Sequence, residues 1–120
     1  MDGDTQERRR RHRRGHLSEW VAAGFLAAKG YRILARRWKT PGGEIDLIAL
    51  RGRRLAFVEV KYRLTLADAE AAITPRQRRR IRHGASLWLA RHPAYQSHEI
   101  GFDLLFLLRR RWPMHIRDGL

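Results

Sequence analysis

Four ionisable residues sit inside segments that otherwise read as buried strands. Glu44 and Asp46 lie in Glu44-Ile45-Asp46-Leu47-Ile48, and Glu59 and Lys61 lie in Val58-Glu59-Val60-Lys61. Charged groups are costly in an apolar strand unless they are paired or bind a metal. Between the two segments lies Arg51-Gly52-Arg53-Arg54, so the pattern predicts strand, turn and strand. A two-residue loop at Gly52-Arg53 and a four-residue loop over 51–54 give the same antiparallel register: Leu50 opposite Leu55, Ile48 opposite Phe57, Asp46 opposite Glu59, Glu44 opposite Lys61. A three- or five-residue loop would shift it. Alternation then sends Glu44, Asp46, Glu59 and Lys61 to one side, and Ile45, Leu47, Ala49, Ala56, Val58 and Val60 to a core face. Two carboxylates directly opposite each other repel. A hard cation on oxygen ligands, Mg²⁺ or Mn²⁺ held by Asp46 and Glu59, removes that penalty. Lys61 can pair with Glu44 or position a water or a phosphate oxygen.

The remaining elements must hold this hairpin in place. Residues 1–15 are polar, lack apolar periodicity and carry Arg8-Arg9-Arg10-Arg11-His12-Arg13-Arg14, which reads as a basic, disordered arm. Residues 16–120 form the expected folded domain. Ser18 is placed to cap a first helix over about 18–29 that buries Trp20, Val21, Phe25 and Ala28, with Glu19 in its first turn and Gly30 at its end. Residues 31–38 read as a strand, and Thr40-Pro41-Gly42-Gly43 as a turn. Residues 66–73 fit either a short helix or a loop. Thr74-Pro75 starts a helix running to about Arg91, with Thr as cap and Pro at the first helical position. Strands follow at 99–108 and near 112–116. The order α-β-β-β-α-β-β predicts an α/β mixed sheet flanked by helices.

Composition narrows the function. One hundred and twenty residues, 43% of them hydrophobic, support a single core. Cysteine is absent, which excludes disulfides and thiolate metal sites and fits a reducing cytoplasm. The longest apolar runs are too short to span a bilayer, and no secretory signal is evident, so no membrane partner is expected. Lys and Arg number 26 against 12 acids, a net charge of +14, which favours nucleic acid as partner. Arg9, Arg10 and Arg11 in the arm, Arg76, Arg78 and Arg79 on the long helix, and Arg109–Arg111 can line a phosphate-binding surface whose affinity falls steeply with salt. Trp38, flanked by Arg37 and Lys39, is the aromatic best placed to contact a base, whereas Trp20, Trp88, Phe25 and Phe106 read as core. The six histidines show no zinc spacing.

Gly43-Glu44-Ile45-Asp46-Leu47-Ile48-Ala49, then Phe57-Val58-Glu59-Val60-Lys61 with Arg63, then Gln77-Arg78-Arg79 on a helix, resemble the YraN-like family of small uncharacterised bacterial proteins over roughly residues 15–117. That family is similar to the restriction-endonuclease-like PD-(D/E)xK nucleases, and among them to Holliday junction resolvases. The resemblance implies a restriction-endonuclease-like mixed central β-sheet flanked by helices, with an acidic metal site. It makes Asp46 the motif's aspartate, Glu59 its second acid and Lys61 its lysine. Glu19 is then the first-helix acid that completes the site in resolvase-like members, and Gln77 the residue on the helix after the lysine strand. Glu44 matches a family position with no role assigned by the superfamily motif. The motif's Pro-Asp is here Ile45-Asp46, and its Lys-Gln helix start is Arg76-Gln77. Resolvase-like enzymes work as dimers, so a homodimer is also implied.

The expected activity is metal-assisted phosphodiester hydrolysis, an endonuclease acting on branched or structured DNA ahead of RNA. Two other readings stand beside it: a non-catalytic nucleic-acid-binding or adaptor protein on the nuclease scaffold, and an RNA-associated basic protein driven by its arm. Plainer roles are open to individual residues. Glu19 can complement a helix dipole, Gln77 can be an exposed helical side chain, and Asp103 can be a buried acid satisfied by backbone or an arginine.

Overall fold

The computed structural model describes residues 17–120, so the arm over 1–15, with Arg9, Arg10 and Arg11, lies outside the described residues. Helix α1 (17–28) leads into strands β1 (Arg32–Thr40), β2 (Gly43–Arg51) and β3 (Arg54–Arg63). Helices α2 (Leu66–Ala71) and α3 (Pro75–Arg91) and a 3₁₀ turn (Pro93–Tyr95) follow, then β4 (Glu99–Leu108) and β5 (Met114–Ile116). The five strands form one sheet in chain order. β2 runs antiparallel to both of its neighbours, β1 and β3, β4 runs parallel to β3, and β5 is antiparallel to β4. A parallel step needs a long crossover, and α2 and α3 supply it between β3 and β4. The result is the expected α/β arrangement, a mixed sheet flanked by helices of restriction-endonuclease-like form.

Both faces of the sheet are covered. Ile81, Ala85 and Trp88 of α3 pack on Ile45, Ile48, Leu55, Phe57 and Phe106. Trp88 meets Phe57 edge-on with ring centroids 5.9 Å apart. Ala22, Ala23 and Leu26 of α1 cover Leu47, Ala49, Ala56, Val58 and Leu105 on the other face. This corrects the apolar stripe expected of α1. Trp20, Val21 and Ala28 are exposed and Phe25 is half-buried, while Ser18 and Glu19 are buried and Ser18 lies within the helix instead of capping it. The physical reason is size. Alanines at 22 and 23 let the helix approach a sheet face that itself presents Ala49 and Ala56, which an indole at the interface would prevent.

The local signals explain the other elements. Thr74 caps α3 by accepting from the Gln77 N–H at 3.2 Å, and Pro75 occupies the first helical turn. Thr65 caps α2 in the same way, which settles the open stretch as a six-residue helix. The β2–β3 hairpin closes on Gly52-Arg53, with Arg51 opposite Arg54 and Gly52 at φ +58°, a conformation glycine adopts freely. The final strand is shorter than expected.

Candidate active site

The hairpin register holds from Arg51↔Arg54 to Leu47↔Val58, and there the paired ladder ends. The continued ladder of Asp46 opposite Glu59 and Glu44 opposite Lys61 is not formed. The neighbouring strand β1 is irregular on the same stretch. A bulge interrupts β1 between Ile33 and Ala35, and Arg37, the residue facing Asp46 between the pairs Arg36↔Leu47 and Trp38↔Ile45, adopts φ +51°. Strict alternation fails at this point, since Ile45 joins Ile48 on the α3 face instead of Leu47 on the α1 face. Beyond the ladder's end the Val60 N–H donates to Asp46 Oδ2 at 2.8 Å, so the aspartate carboxylate satisfies the β3 backbone.

Two groups of side chains meet around Asp46. In the first, one carboxylate oxygen from each of Glu19, Glu44 and Asp46 lies within 4.8 Å of the others. Glu19 reaches this point because the buried side of α1 carries it onto the sheet, where it is only 8% exposed. The Arg37 Nε lies 3.5 Å from both Glu19 Oε1 and Glu44 Oε2, bridging the two acids. In the second, Glu59, 4% exposed, pairs with Lys61 at 3.1 Å and with Arg80 of α3 at 4.0 Å. Gln77, one turn before Arg80, completes it. With its amide nitrogen toward the Ala72 carbonyl (2.6 Å) and its oxygen toward Lys61 Nζ (2.9 Å), both ends of the amide are matched.

The electrostatics follow from burial. Burial is the main force that raises the Asp46 carboxyl, from 3.8 to about 7. Glu59 adds to it, and the Val60 N–H and Lys61 oppose it. Glu19 is also raised, first by burial and then by Glu44, against the pull of Arg37. Glu19 Oε2 and Glu59 Oε2 are buried with no hydrogen-bond partner. Buried orphan acceptors of this kind call for a donor or a cation.

The residues proposed from the sequence are thus divided. Glu19, Glu44 and Asp46 converge, and Glu59, Lys61 and Gln77 gather alongside them on the β3–α3 side. Arg76, Arg78 and Arg79 are exposed on the first turns of α3. Trp38 is half-buried against the α3-side core, with the Arg91 guanidinium 6.0 Å from its ring. Two arginines that the sequence offered only as general basic residues, Arg37 beside Trp38 and Arg80 within the basic run of the long helix, turn out to contact the acids. Arg37 carries no signal, because its place depends on the β1 distortion. Arg80 lies three residues after Gln77, a spacing that puts both on one helix face. The close approach of Arg80 also explains Gly43. At φ +143°, a Cβ there would lie 2.4 Å from Arg80 Cδ.

A second buried polar cluster does structural work. Asp103 on β4 takes a bidentate pair from Arg54 (2.7 and 2.7 Å), the His115 Nε2 at 2.8 Å and the Asp118 N–H at 2.9 Å. Tyr31 accepts from Arg54, and Lys29 meets the other nitrogen of His115. Burial alone would raise Asp103, but the bonds from Arg54, His115 and Asp118 hold it below the usual carboxylate range. This cluster ties the end of α1 and the C-terminal segment to β3 and β4, and it fits the plainer role read for Asp103.

The uncharacterised protein family UPF0102 matches residues 18–107, which span both groups of site residues. UPF0102 proteins from several bacteria are similar over nearly the whole chain. The one from Chelativorans sp. strain BNC1 is 52% identical, with 92% of this chain and 90% of the relative covered. The one from Mesorhizobium japonicum is 49% identical over 96% and 92%. A third, from Bradyrhizobium diazoefficiens, is 49% identical over 93% and 84%. Among the described residues, no helix is long and apolar enough to cross a membrane.

Proposed function

The chain belongs to the UPF0102, YraN-like family, and from that premise we propose that it is a metal-dependent phosphodiesterase, an endonuclease acting on branched or structured DNA. The observation that carries this reading is the convergence of Glu19, Glu44 and Asp46 beside Glu59, Lys61 and Gln77. The donor set fits Mg²⁺ or Mn²⁺, because every candidate ligand is a carboxylate oxygen and two of those oxygens are buried without a partner. Asp46 would hold the cation with Glu59, and Glu19 and Glu44 would supply further oxygens. When bound, such a cation polarises a phosphoryl oxygen and acidifies a water.

The chain's own groups do the rest. Lys61 orients the attacking water or stabilises charge developing on the phosphate. Gln77 fixes the ammonium of Lys61 through its amide oxygen. Arg80, whose Nε is buried without a partner and whose fork approaches Glu59 only to 4.0 Å, retains donors for a non-bridging phosphate oxygen. The net charge of +14 supports a polyanionic substrate. Incubation with labelled duplex, junction and single-stranded DNA in Mg²⁺ or Mn²⁺ tests the reading. It expects cation-dependent cleavage that Asp46→Ala abolishes. Absence of cleavage on every substrate would count against it, as would cleavage that survives the substitution.

One observation favours a second reading. Arg37 pairs with Glu19 and Glu44, and Lys61 and Arg80 pair with Glu59, so three of the four acids already face a basic side chain. A non-catalytic DNA-binding adaptor would use the site in that paired state. It would bind DNA equally with and without Mg²⁺ and cleave nothing.

A further inference from the structure

The outer surface of α1 carries a tryptophan that the core does not use. Trp20 is 58% exposed, although it directly follows buried Glu19. The Arg36 guanidinium lies 3.7 Å from the centre of its ring, at stacking distance. Arg36 in turn directly precedes Arg37, which bridges Glu19 and Glu44. Both members of the stacked pair are therefore chain neighbours of residues in the acid cluster. They also border the sheet's edge strand β1, from which Arg32, Arg36 and Lys39 are exposed.

We infer that Trp20 and Arg36 form a stacking platform for an unpaired nucleobase, on the strand whose phosphate lies at the acid cluster. The inference rests on the nucleic-acid reading above and deepens it by naming the substrate class. Trp20 stands in an exposed apolar patch with Leu17 and Val21, which lie three residues before and one after it on the same side of α1, and a patch of this kind marks a contact surface. The charge around it selects the partner, because exposed cations on β1 and a net charge of +14 fit a polyanion and disfavour a basic or neutral protein face. Within nucleic acids, a duplex hides the faces of its bases, whereas a single-stranded segment, flap or junction offers them. Stacking accepts any base, so the platform confers preference for unpaired structure without sequence preference. Arg36 serves twice, extending the π surface and pairing with a neighbouring phosphate.

The test uses the full chain in EDTA, so that binding is read without cleavage and its outcome is independent of whether the site is catalytic. Fluorescence anisotropy compares a labelled single-stranded oligonucleotide with a blunt duplex of equal length. Trp20→Ala is expected to weaken single-strand binding by roughly tenfold to a hundredfold, with Trp20→Phe retaining most of the affinity and duplex binding changing less than about twofold. Equal losses on both ligands, or none on the single strand, would overturn the inference. A second measurement needs no substitution. Irradiation of the wild-type chain with a bromouracil-containing single strand should place the crosslink on Trp20 by mass spectrometry, and crosslinks found only elsewhere would contradict the platform.

Discussion

Replacing Asp46 with asparagine is expected to stabilise the cation-free protein above neutral pH. Burial, reinforced by Glu59, holds this carboxyl at about 7 in the folded chain against 3.8 when exposed. The direction of the linkage follows. The unfolded chain releases its proton near pH 4 and the folded chain keeps it until about 7, so the stability the neutral carboxyl contributes is complete below pH 4 and gone above 7. An interval of about three pH units at 1.36 kcal/mol each sets a ceiling of about 4 kcal/mol. Local relaxation and water entry around the buried carboxylate reduce this, so the expected gain is about 1–3 kcal/mol at pH 8. Asparagine is neutral throughout and keeps an oxygen to accept the Val60 N–H. The assay is urea unfolding in EDTA from pH 4.5 to 8.5, read as the difference between Asp46→Asn and wild type. That difference should be smallest at the acid end, grow up to about pH 7 and level off above it. A difference independent of pH, or a variant less stable at pH 8, would refute the reasoning.

Three other outcomes follow from the same geometry. Arg37→Gln removes a cation 3.5 Å from Glu19 and Glu44, so Mn²⁺ should bind about tenfold tighter by calorimetry, and unchanged or weaker binding would place Arg37 outside the cation's field. Gly43→Ala forces both a Cβ against Arg80 and a strained backbone angle, so unfolding free energy should fall by about 1–3 kcal/mol, and part of that should return in the double variant with Arg80→Ala. Arg54→Met leaves the Asp103 carboxylate buried without its main partner and should destabilise by about 3–5 kcal/mol, whereas a loss under about 1 kcal/mol would show the cluster to be dispensable.

How far the sequence revealed this molecule depended on whether a signal was local. Thr74-Pro75 announced α3, and its observed bounds match the expected ones, because cap and proline act within one turn. Gly52-Arg53 set the hairpin register for the same reason. The face of α1 was misread because Trp20 and Val21 outweigh alanines by hydrophobicity, while close helix–sheet packing selected Ala22 and Ala23. The expected four-residue row failed only past Leu47, alongside the irregular stretch of β1 that contains Arg37, and a neighbouring strand's distortion leaves no mark in the sequence of β2. Asp103 was visible as a buried acid. Its partners Arg54 and His115 were not, since pairs 49 and 12 residues apart are set by topology.

The central claim is that the acids around Asp46 hold a divalent cation, and a crystal soaked in Mn²⁺ at pH 8, with data collected at the manganese edge, tests it most directly. The account predicts an anomalous peak in contact with Asp46 and at least one of Glu19, Glu44 and Glu59, with Arg37 turned away from the acids it now bridges. A crystal that binds manganese elsewhere while this cluster keeps its arginine pairing and shows no peak would contradict it.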